Sequence, residues 1–317
     1  MPTPIPSPLA GRAFSVVEAR ALGAGFDRLR RADLLAPHHG VRAHRPPVSL
    51  VERCRDLAPV LPPGTAFSHV TALALWQLPL PRGNGTARGP LHVESTRGGR
   101  VRRPGVVGHV GRLDTVGRLE HQVVGLPVVD PLTAWVQSAD GLALDDVVAV
   151  ADALAGRWSP FGPAREVPMG HLSDRVTAWG SRRGAAVLRE ALASARPGVW
   201  SPQETRMRLL LERAGVTGLV PNHPVLDADD RLVGIVDLAD VDARLAIEYQ
   251  GDHHRTDRDT YRTDLQRRED FEDVGWRQVQ VSDDDLGRRA PAFVSRVRRL
   301  VRERRGPGEM SRLAAHL

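Results

Sequence analysis

The chain has 317 residues, of which 41% are hydrophobic and 26% charged, a composition typical of a globular protein with two or three domains. All 44 basic residues are arginines, which excludes mechanisms that need a Schiff-base lysine or a phosphate-loop lysine. The formal net charge of +6 is modest for this length and gives only slight support for a nucleic-acid partner.

The single cysteine, Cys54, excludes an internal disulfide and indicates a reducing compartment. Residues 1–12 are rich in proline and lack the charged region and apolar core of a signal peptide. No apolar run approaches the length that crosses a membrane, so no membrane partner is expected. Together these features predict a cytoplasmic protein.

Residues 1–60 are predicted to form a proline-rich lead and a small winged-helix-like domain. Ser15 and Glu18 have the spacing of a capping box, and Gly23 fits the end of that helix. A second short helix is expected over residues 24–32, followed by a strand. This order resembles the winged-helix start of the type IV abortive-infection antitoxins, although a generic helical hairpin explains it equally well.

Residues 61–160 are predicted to form a small α+β middle domain, which resembles the middle region of the same antitoxin-like proteins. No catalytic constellation is evident in this block. Its histidines lie on different predicted elements without the spacing of metal ligands, so structural or surface roles are favoured for each. These histidines are His69, His92, His109 and His121.

The remaining chain is predicted to comprise a linker with connecting helices at 161–200, a second α/β domain at 201–305 and a flexible tail at 306–317. In 201–305 the pattern predicts a helix, three strands, a helix and a strand, and then a last helix from about Pro291. The arginines of this last helix either lie along nucleic-acid phosphates or face solvent. The elements before the last helix are expected near residues 201–215, 219–226, 232–238, 245–250, 259–274 and 276–281.

Two acidic residues lie on the strands of a predicted hairpin, Asp237 on the first and Glu248 on the second. Glu248 and Gln250 are two residues apart, so they point to the same face of the sheet. Two carboxylates about 4 Å apart repel by roughly 4 kcal/mol at an effective dielectric near 20, and a divalent cation would relieve this repulsion. Oxygen donors of this kind suit Mg2+ or Mn2+ rather than zinc, and no organic cofactor is expected.

The spacing of Asp237, Glu248 and Gln250, D-x10-E-x-Q, resembles the metal-binding core of the PD-(D/E)XK nuclease superfamily. The longer series I-E-Y-Q-G-x-x-H, Y-x-x-D-x-x-R and G-W resembles the uncharacterised bacterial domain grouped with the very-short-patch repair endonucleases. The resemblance covers about residues 201–286, roughly a third of the chain. It implies an α/β (α+β) fold with a restriction-endonuclease-like mixed sheet flanked by helices, and metal-dependent hydrolysis of DNA.

The resemblance also implies roles for individual residues. Asp237 and Glu248 would hold the Mg2+ or Mn2+, with Glu204 as a third acid from the preceding helix. Gln250 or His254 would position the attacking water, and His254 could also donate to a phosphate or transfer a proton. Glu204 also fits the acid of a helix cap, and the two roles are equally supported. The expected phosphate or DNA contacts are His253, Arg262, Arg267 and Arg268.

Gln250 departs from the superfamily pattern, which usually has a lysine two residues after the glutamate. An amide can hold a water molecule, but it cannot supply charge or accept a proton at neutral pH. Two hypotheses follow. The first is an endodeoxyribonuclease dependent on Mg2+ or Mn2+. The second is an inactive nuclease-like protein that binds DNA or a protein partner, with an antitoxin-type regulatory role. DNA is the expected partner, and a homodimer is left open.

Overall fold

The structure is a computed structural model that describes residues 4–81, 89–96, 99–111, 125–156, 166–250 and 258–305, with the backbone alone over 258–265. The fold is mixed α/β and contains sheets with both parallel and antiparallel pairs. The chain divides into two compact units. Unit 1 comprises Met1–Ala143 and His171–Arg189, and unit 2 comprises Leu144–Gly170 and Glu190–Leu317. The five-segment division expected from the sequence stays a prediction.

The helices of the described residues are α1 (Val16–Ala21), α2 (Phe26–Leu29), α3 (Leu50–Leu57), α4 (His69–Leu75), α5 (Pro131–Ser138), α6 (Leu144–Ala155), α7 (Met169–Trp179), α8 (Ala185–Ser194), α9 (Pro202–Arg213), α10 (Arg258–Asp273), α11 (Asp283–Leu286) and α12 (Ala290–Arg305). The strands are β1 (Phe14–Ser15), β2 (Val41–Arg42), β3 (Thr65–Phe67), β4 (Leu91–Ser95), β5 (Arg102–Arg103), β6 (Val106–Val110), β7 (Leu219–Leu226), β8 (Leu232–Asp240), β9 (Leu245–Tyr249) and β10 (Arg277–Val281). Within this described part of the chain, no helix combines the length and the apolar character needed to cross a membrane.

The start of unit 1 forms two short helices between paired strands. The Ser15 hydroxyl accepts a hydrogen bond from the Glu18 amide at 3.0 Å, which begins α1 as the capping pattern predicts. Gly23 follows at φ 88°, a conformation that side-chain-bearing residues rarely adopt. Helix α2 is shorter than the expected 24–32, because Gly25 caps its start and the residues after Leu29 form turns.

The larger sheet of unit 1 has the strand order β3-β4-β6-β5, in which β4 and β6 are parallel and the other pairs antiparallel. The register places Glu94 opposite His109 and His92 opposite Val107. Alternate residues of a strand point to the same face. His92, Glu94 and His109 therefore lie on one face of this sheet.

The sheet of unit 2 has the order β10-β9-β8-β7, with β9 and β10 parallel and the other pairs antiparallel. The chain reaches it in the predicted order of helix, three strands, helix and strand. Helices α9 and α12 cover one face, where Met207 and Val297 pack with Ile247. Helix α10 covers the other face, where Phe271 packs with Val236. Apolar residues on both sides explain why the end of β8 and the start of β9 are buried.

A buried ion pair joins α6 to α9 inside unit 2. The Arg208 side chain is 0% exposed and lies 2.9 Å from the Asp152 carboxylate, which is 1% exposed. The same carboxylate accepts hydrogen bonds from the Thr205 hydroxyl and the Arg196 amide, both at 2.8 Å. Glu212 is a second partner of Arg208, at 3.1 Å. This network holds in place the helix that carries Glu204.

Candidate functional site

Asp237 lies where the pairing of β8 with β9 ends. The last paired residues are Leu238 and Ile247, and beyond them the Tyr249 amide donates to Asp237 Oδ2 at 2.7 Å. The Asp237 carboxylate thus accepts the hydrogen bond that a backbone carbonyl would accept in a continued strand pair, and this bond fixes its position. Burial raises the pKa of the Asp237 carboxyl, although the Tyr249 amide and the charge of Arg267 oppose the rise.

Glu204 begins α9 and is only 6% exposed. Its amide donates to the Ser201 hydroxyl at 3.2 Å, as in a helix cap. Its carboxylate accepts from the Trp200 amide at 2.9 Å and from Asn222 Nδ2 at 2.7 Å. Burial raises the pKa of Glu204 to about 7, and the negative charge of Asp237 adds to the rise while these donors oppose it. Glu204 thus caps the helix and also contacts Asn222, the residue that stands opposite Asp237.

Asn222 is a member of the site that the sequence analysis missed. It lies on β7 between two ladder pairs, Pro221 with Leu238 and His223 with Val236, and so stands opposite Asp237. Its φ of 47° is in the left-handed region. Its Nδ2 donates a hydrogen bond to Glu204, whereas its buried Oδ1 has no hydrogen-bond partner among the described residues. The signal that could have identified it is an asparagine between two prolines, P-N-H-P, inside a predicted strand.

Glu248 is paired with Arg267. The guanidinium lies 2.9 Å from Glu248 Oε1 and also donates to the Ile235 carbonyl at 2.8 Å, while Gln278 donates to Glu248 Oε2 at 3.3 Å. Arg268 instead pairs with Glu272 one turn along α10, at 3.2 Å. Of these two candidate phosphate contacts, only Arg267 is shown beside Glu248, one of the predicted metal ligands.

The other predicted site residues have different positions. Gln250 is exposed. Its backbone N–H donates to the Val281 carbonyl at 2.8 Å, which continues the pairing of β9 with β10. His253 and His254 lie outside the described residues. Arg262 lies in α10, in the stretch where the structure describes the backbone alone.

We name Glu204, Asn222, Asp237 and Glu248 the carboxylate site, and its donors suit Mg2+ or Mn2+. All are oxygens. One is a buried amide oxygen that has no partner within the described part of the chain, and two belong to acids whose pKa is raised. The three carboxylates do not bring their oxygens within 4.8 Å of one another among the described residues. Waters, which Mg2+ commonly retains, would complete its coordination.

Four arginines line a separate groove of unit 2, with a volume of about 380 Å³, beside the edge strand β10. Arg268 and Arg277 share one acid, Glu272, at 3.2 and 3.4 Å, and Arg299 lies 3.1 Å from Glu303. Arg296 donates to the Gln280 carbonyl at 3.2 Å. We name this the basic groove, and it consists of Arg268, Arg277, Arg296 and Arg299.

Unit 1 holds a second cluster, formed by His69, His92 and His109, for each of which the sequence analysis favoured a structural or surface role. One ring nitrogen from each lies within 4.8 Å of the others, which no other three His, Cys, Asp or Glu residues achieve among the described residues. Burial lowers the pKa of His69 to about 3 and that of His109 to about 4. The sequence did not indicate the cluster, because the parallel register of β4 with β6 creates it. His121 lies outside the described residues.

Comparisons of the chain with protein-family models, with curated proteins and with solved structures found no match.

Proposed function

We propose that unit 2 is a nuclease that hydrolyses DNA phosphodiester bonds with the help of Mg2+ or Mn2+. The observation that carries this proposal is the position of Asn222, which stands opposite Asp237, donates to Glu204 and has an Oδ1 without a hydrogen-bond partner among the described residues. Two acids near each other in a buried place are costly unless a cation joins them. Asp237, Glu248 and Glu204 would hold that cation.

The residues of the chain would divide the chemistry among them. A bound divalent ion supplies charge that polarises the phosphate and lowers the pKa of water. The Tyr249 amide fixes the orientation of Asp237, and Arg267 is placed to neutralise a phosphate oxygen next to Glu248. Glu204 would hold the cation through its carboxylate, because a bound cation favours the ionised form of that group. Gln250 can orient a water molecule but cannot accept a proton.

The basic groove supports DNA as the substrate. Guanidinium groups match phosphate oxygens in geometry, and a row of them adds an affinity that does not depend on base sequence. Arg296 and Arg299 belong to α12, so part of the arginine-rich face predicted from the sequence lines this groove. A cytoplasmic location, suggested by the single cysteine, belongs to the same proposal.

A second candidate function is binding of DNA or of a protein partner without cleavage, in an antitoxin-type regulatory role. Two observations favour it. Gln250 replaces the usual lysine, and Arg267 already neutralises Glu248 through a pair of 2.9 Å. The regulatory part of this candidate rests on the resemblance of the first 160 residues to antitoxin proteins.

The test is cleavage of plasmid and oligonucleotide DNA by the full chain in Mn2+ or Mg2+, together with DNA binding measured in Ca2+. Asp237→Asn and Glu248→Gln should each reduce cleavage by at least about 100-fold and leave binding nearly unchanged, since losing one transition-state contact commonly costs this much. Asp227→Asn, in the exposed turn between β7 and β8, is the matched control.

Binding without cleavage by the wild type would favour the second candidate. Equal cleavage by the wild type, Asp237→Asn and Glu248→Gln would show that the carboxylate site does not carry the activity.

A further inference from the structure

The histidine cluster of unit 1 has no task in the proposed nuclease. His92 Nδ1 and His109 Nε2 approach to 3.1 Å, and the His69 and His109 rings stack with centroids 3.6 Å apart. Zinc binds imidazole nitrogen at about 2.0–2.1 Å, so two nitrogens on a tetrahedral zinc ion lie about 3.3 Å apart. The cluster already has nearly this spacing, with a ring nitrogen of His69 within 4.8 Å.

His69 is held in an unusual backbone conformation at the start of α4, with φ 51°. Left-handed backbone costs a residue other than glycine roughly 1–2 kcal/mol, and such strain concentrates at functional sites. The His69 amide donates to Gln137 Oε1 at 3.3 Å, which helps to keep the ring beside His109. Its Nδ1 lies 3.0 Å from the Ser68 hydroxyl, so a second contact orients the ring.

A buried carboxylate completes the surroundings. Glu94 is 4% exposed, lies on the same sheet face as His92 and His109, and accepts a hydrogen bond from Gln137. A side chain at Gly111 would collide with this carboxylate, since an added Cβ would lie 1.9 Å from it. Gln137 thus links the His69 backbone to the buried Glu94 carboxylate, which helps to fix the position of His69.

A cavity of about 670 Å³ opens onto the cluster within unit 1. His69, His109 and Glu94 contribute to its wall, together with Arg175 and Trp179 from α7. Zinc sites with three protein ligands and one position open to solvent are the catalytic type, whereas structural sites are closed by four protein ligands. A metal held by the three histidines could accept a water or a small ligand from this cavity.

We propose that His69, His92 and His109 bind a zinc-class transition-metal ion through one imidazole nitrogen each, with a fourth position that faces the cavity. Imidazole donors select zinc, copper, nickel or cobalt, whereas the oxygen donors of unit 2 select magnesium or manganese. The site therefore differs from the proposed nuclease site in donor chemistry and in location. The other explanation of the geometry is a hydrogen bond between His92 and His109 with stacking of neutral rings.

The two explanations are separated by metal binding to the full chain after treatment with EDTA. Zinc affinity is measured by competition with a coloured chelator, and Co2+ serves as a probe whose visible absorption reports tetrahedral nitrogen coordination. Both measurements use an Asp237→Asn, Glu204→Gln background, so that the carboxylate site cannot contribute. We expect one zinc ion per chain and a Co2+ absorption band.

Matched variants decide which residues are responsible. His92→Gln and His109→Gln, which keep polar side chains, should each weaken zinc binding by at least about 100-fold, because even partners outside the ligand sphere contribute 10–100-fold. His171→Gln, an exposed histidine of unit 1, should bind zinc like its parent. Hydrogen exchange of the β4 and β6 amides shows whether each variant is folded.

Absence of a Co2+ band in the parent chain would overturn the proposal, and this result does not depend on how the variants fold. Equal zinc affinity of His92→Gln, His109→Gln and their parent would overturn it as well. Failure of the nuclease proposal would leave this result unaffected, since no DNA is used.

Discussion

The carboxylate site of unit 2 and the histidine cluster of unit 1 have the same physical origin and opposite consequences. In each, burial disfavours the charged form of ionisable side chains. It raises the pKa of Glu204 to about 7 and lowers that of His69 to about 3. Near neutral pH the histidines are therefore neutral, whereas Glu204 is part ionised. Desolvation thus keeps the histidine nitrogens of unit 1 unprotonated and favours the protonated form of the Glu204 carboxyl in unit 2.

The largest expected effect is a loss of stability when Asp152, a buried acid of unit 2 with a cationic partner, is removed. Asp152→Ala should lower the free energy of unfolding by about 3 kcal/mol, because it leaves the Arg208 guanidinium buried with Glu212 as its remaining acid. Hydrogen exchange of the α9 amides measures this within unit 2 alone. Asp229→Ala, which breaks an exposed ion pair with Arg231, should change stability by less than about 1 kcal/mol. Similar effects of both variants would contradict the assigned difference.

Glu204 should make unit 2 less stable as the pH rises. The unfolded chain releases this proton near pH 4.5, whereas the folded chain retains it until about pH 7. Ionisation therefore opposes folding, and the free energy of unfolding should fall by up to about 3 kcal/mol between these pH values. Glu204→Gln should remove this fall, and Glu303→Gln, on the exposed face of α12, should retain it. The measurement is hydrogen exchange of α9 in EDTA, and parallel curves for wild type and Glu204→Gln would refute the assignment.

The histidine cluster should show the opposite trend. The pKa of His109 is lowered to about 4, so its contribution to stability is complete above pH 6.5 and is lost as the pH falls through 6.5 toward 4. Since the ring is partly solvated, we expect the loss for this residue to be about 1–2 kcal/mol. His109→Gln should flatten the acid limb, measured in EDTA by hydrogen exchange of β6, and His171→Gln should not. An unchanged acid limb in His109→Gln would argue against burial as the cause.

The smallest expected effect is on the salt dependence of DNA binding, which should respond to a substitution in unit 2 but not to one in unit 1. Arg296→Gln should reduce the slope of log affinity against log salt by about 0.9, the value for one lost phosphate contact. Arg182→Gln, beside the cavity of unit 1, should leave the slope unchanged. Fluorescence anisotropy at several salt concentrations measures both. The reverse result would move the DNA contact from the basic groove to unit 1.

The helices and strands of unit 2 could be predicted from the sequence because each is determined by a local sequence pattern. The run Ser201-Pro202-Gln203-Glu204 is a helix start, and the structure begins α9 there with the Ser201 hydroxyl as cap. Asp237 and Glu248 were placed on adjacent strands because two β-branched runs flank a short polar turn, and β8 and β9 have this arrangement. Local patterns such as caps and turns act over a few residues, so one sequence is sufficient to detect them.

Contacts of the site residues with side chains far away in the sequence could not be predicted in this way. Asn222 meets Glu204 across 18 residues, and Arg267 reaches Glu248 across 19. Spacing within α10 left Arg267 and Arg268 as equal candidates for the phosphate contact. The tertiary structure gives them different surroundings, because Arg267 contacts Glu248 and the Ile235 carbonyl, whereas Arg268 pairs with Glu272 and lines the basic groove.

The sequence by itself determined the mixed α/β class, the order of elements in unit 2 and the positions of two acids on neighbouring strands, since these follow from hydrophobic periodicity and turn chemistry. Only the tertiary structure decided which side chains share a site. The parallel register of β4 with β6 brings His92 beside His109, although 17 residues separate them. Burial then sets their charge. Register and desolvation depend on the packing of the whole unit, so no local pattern contains them.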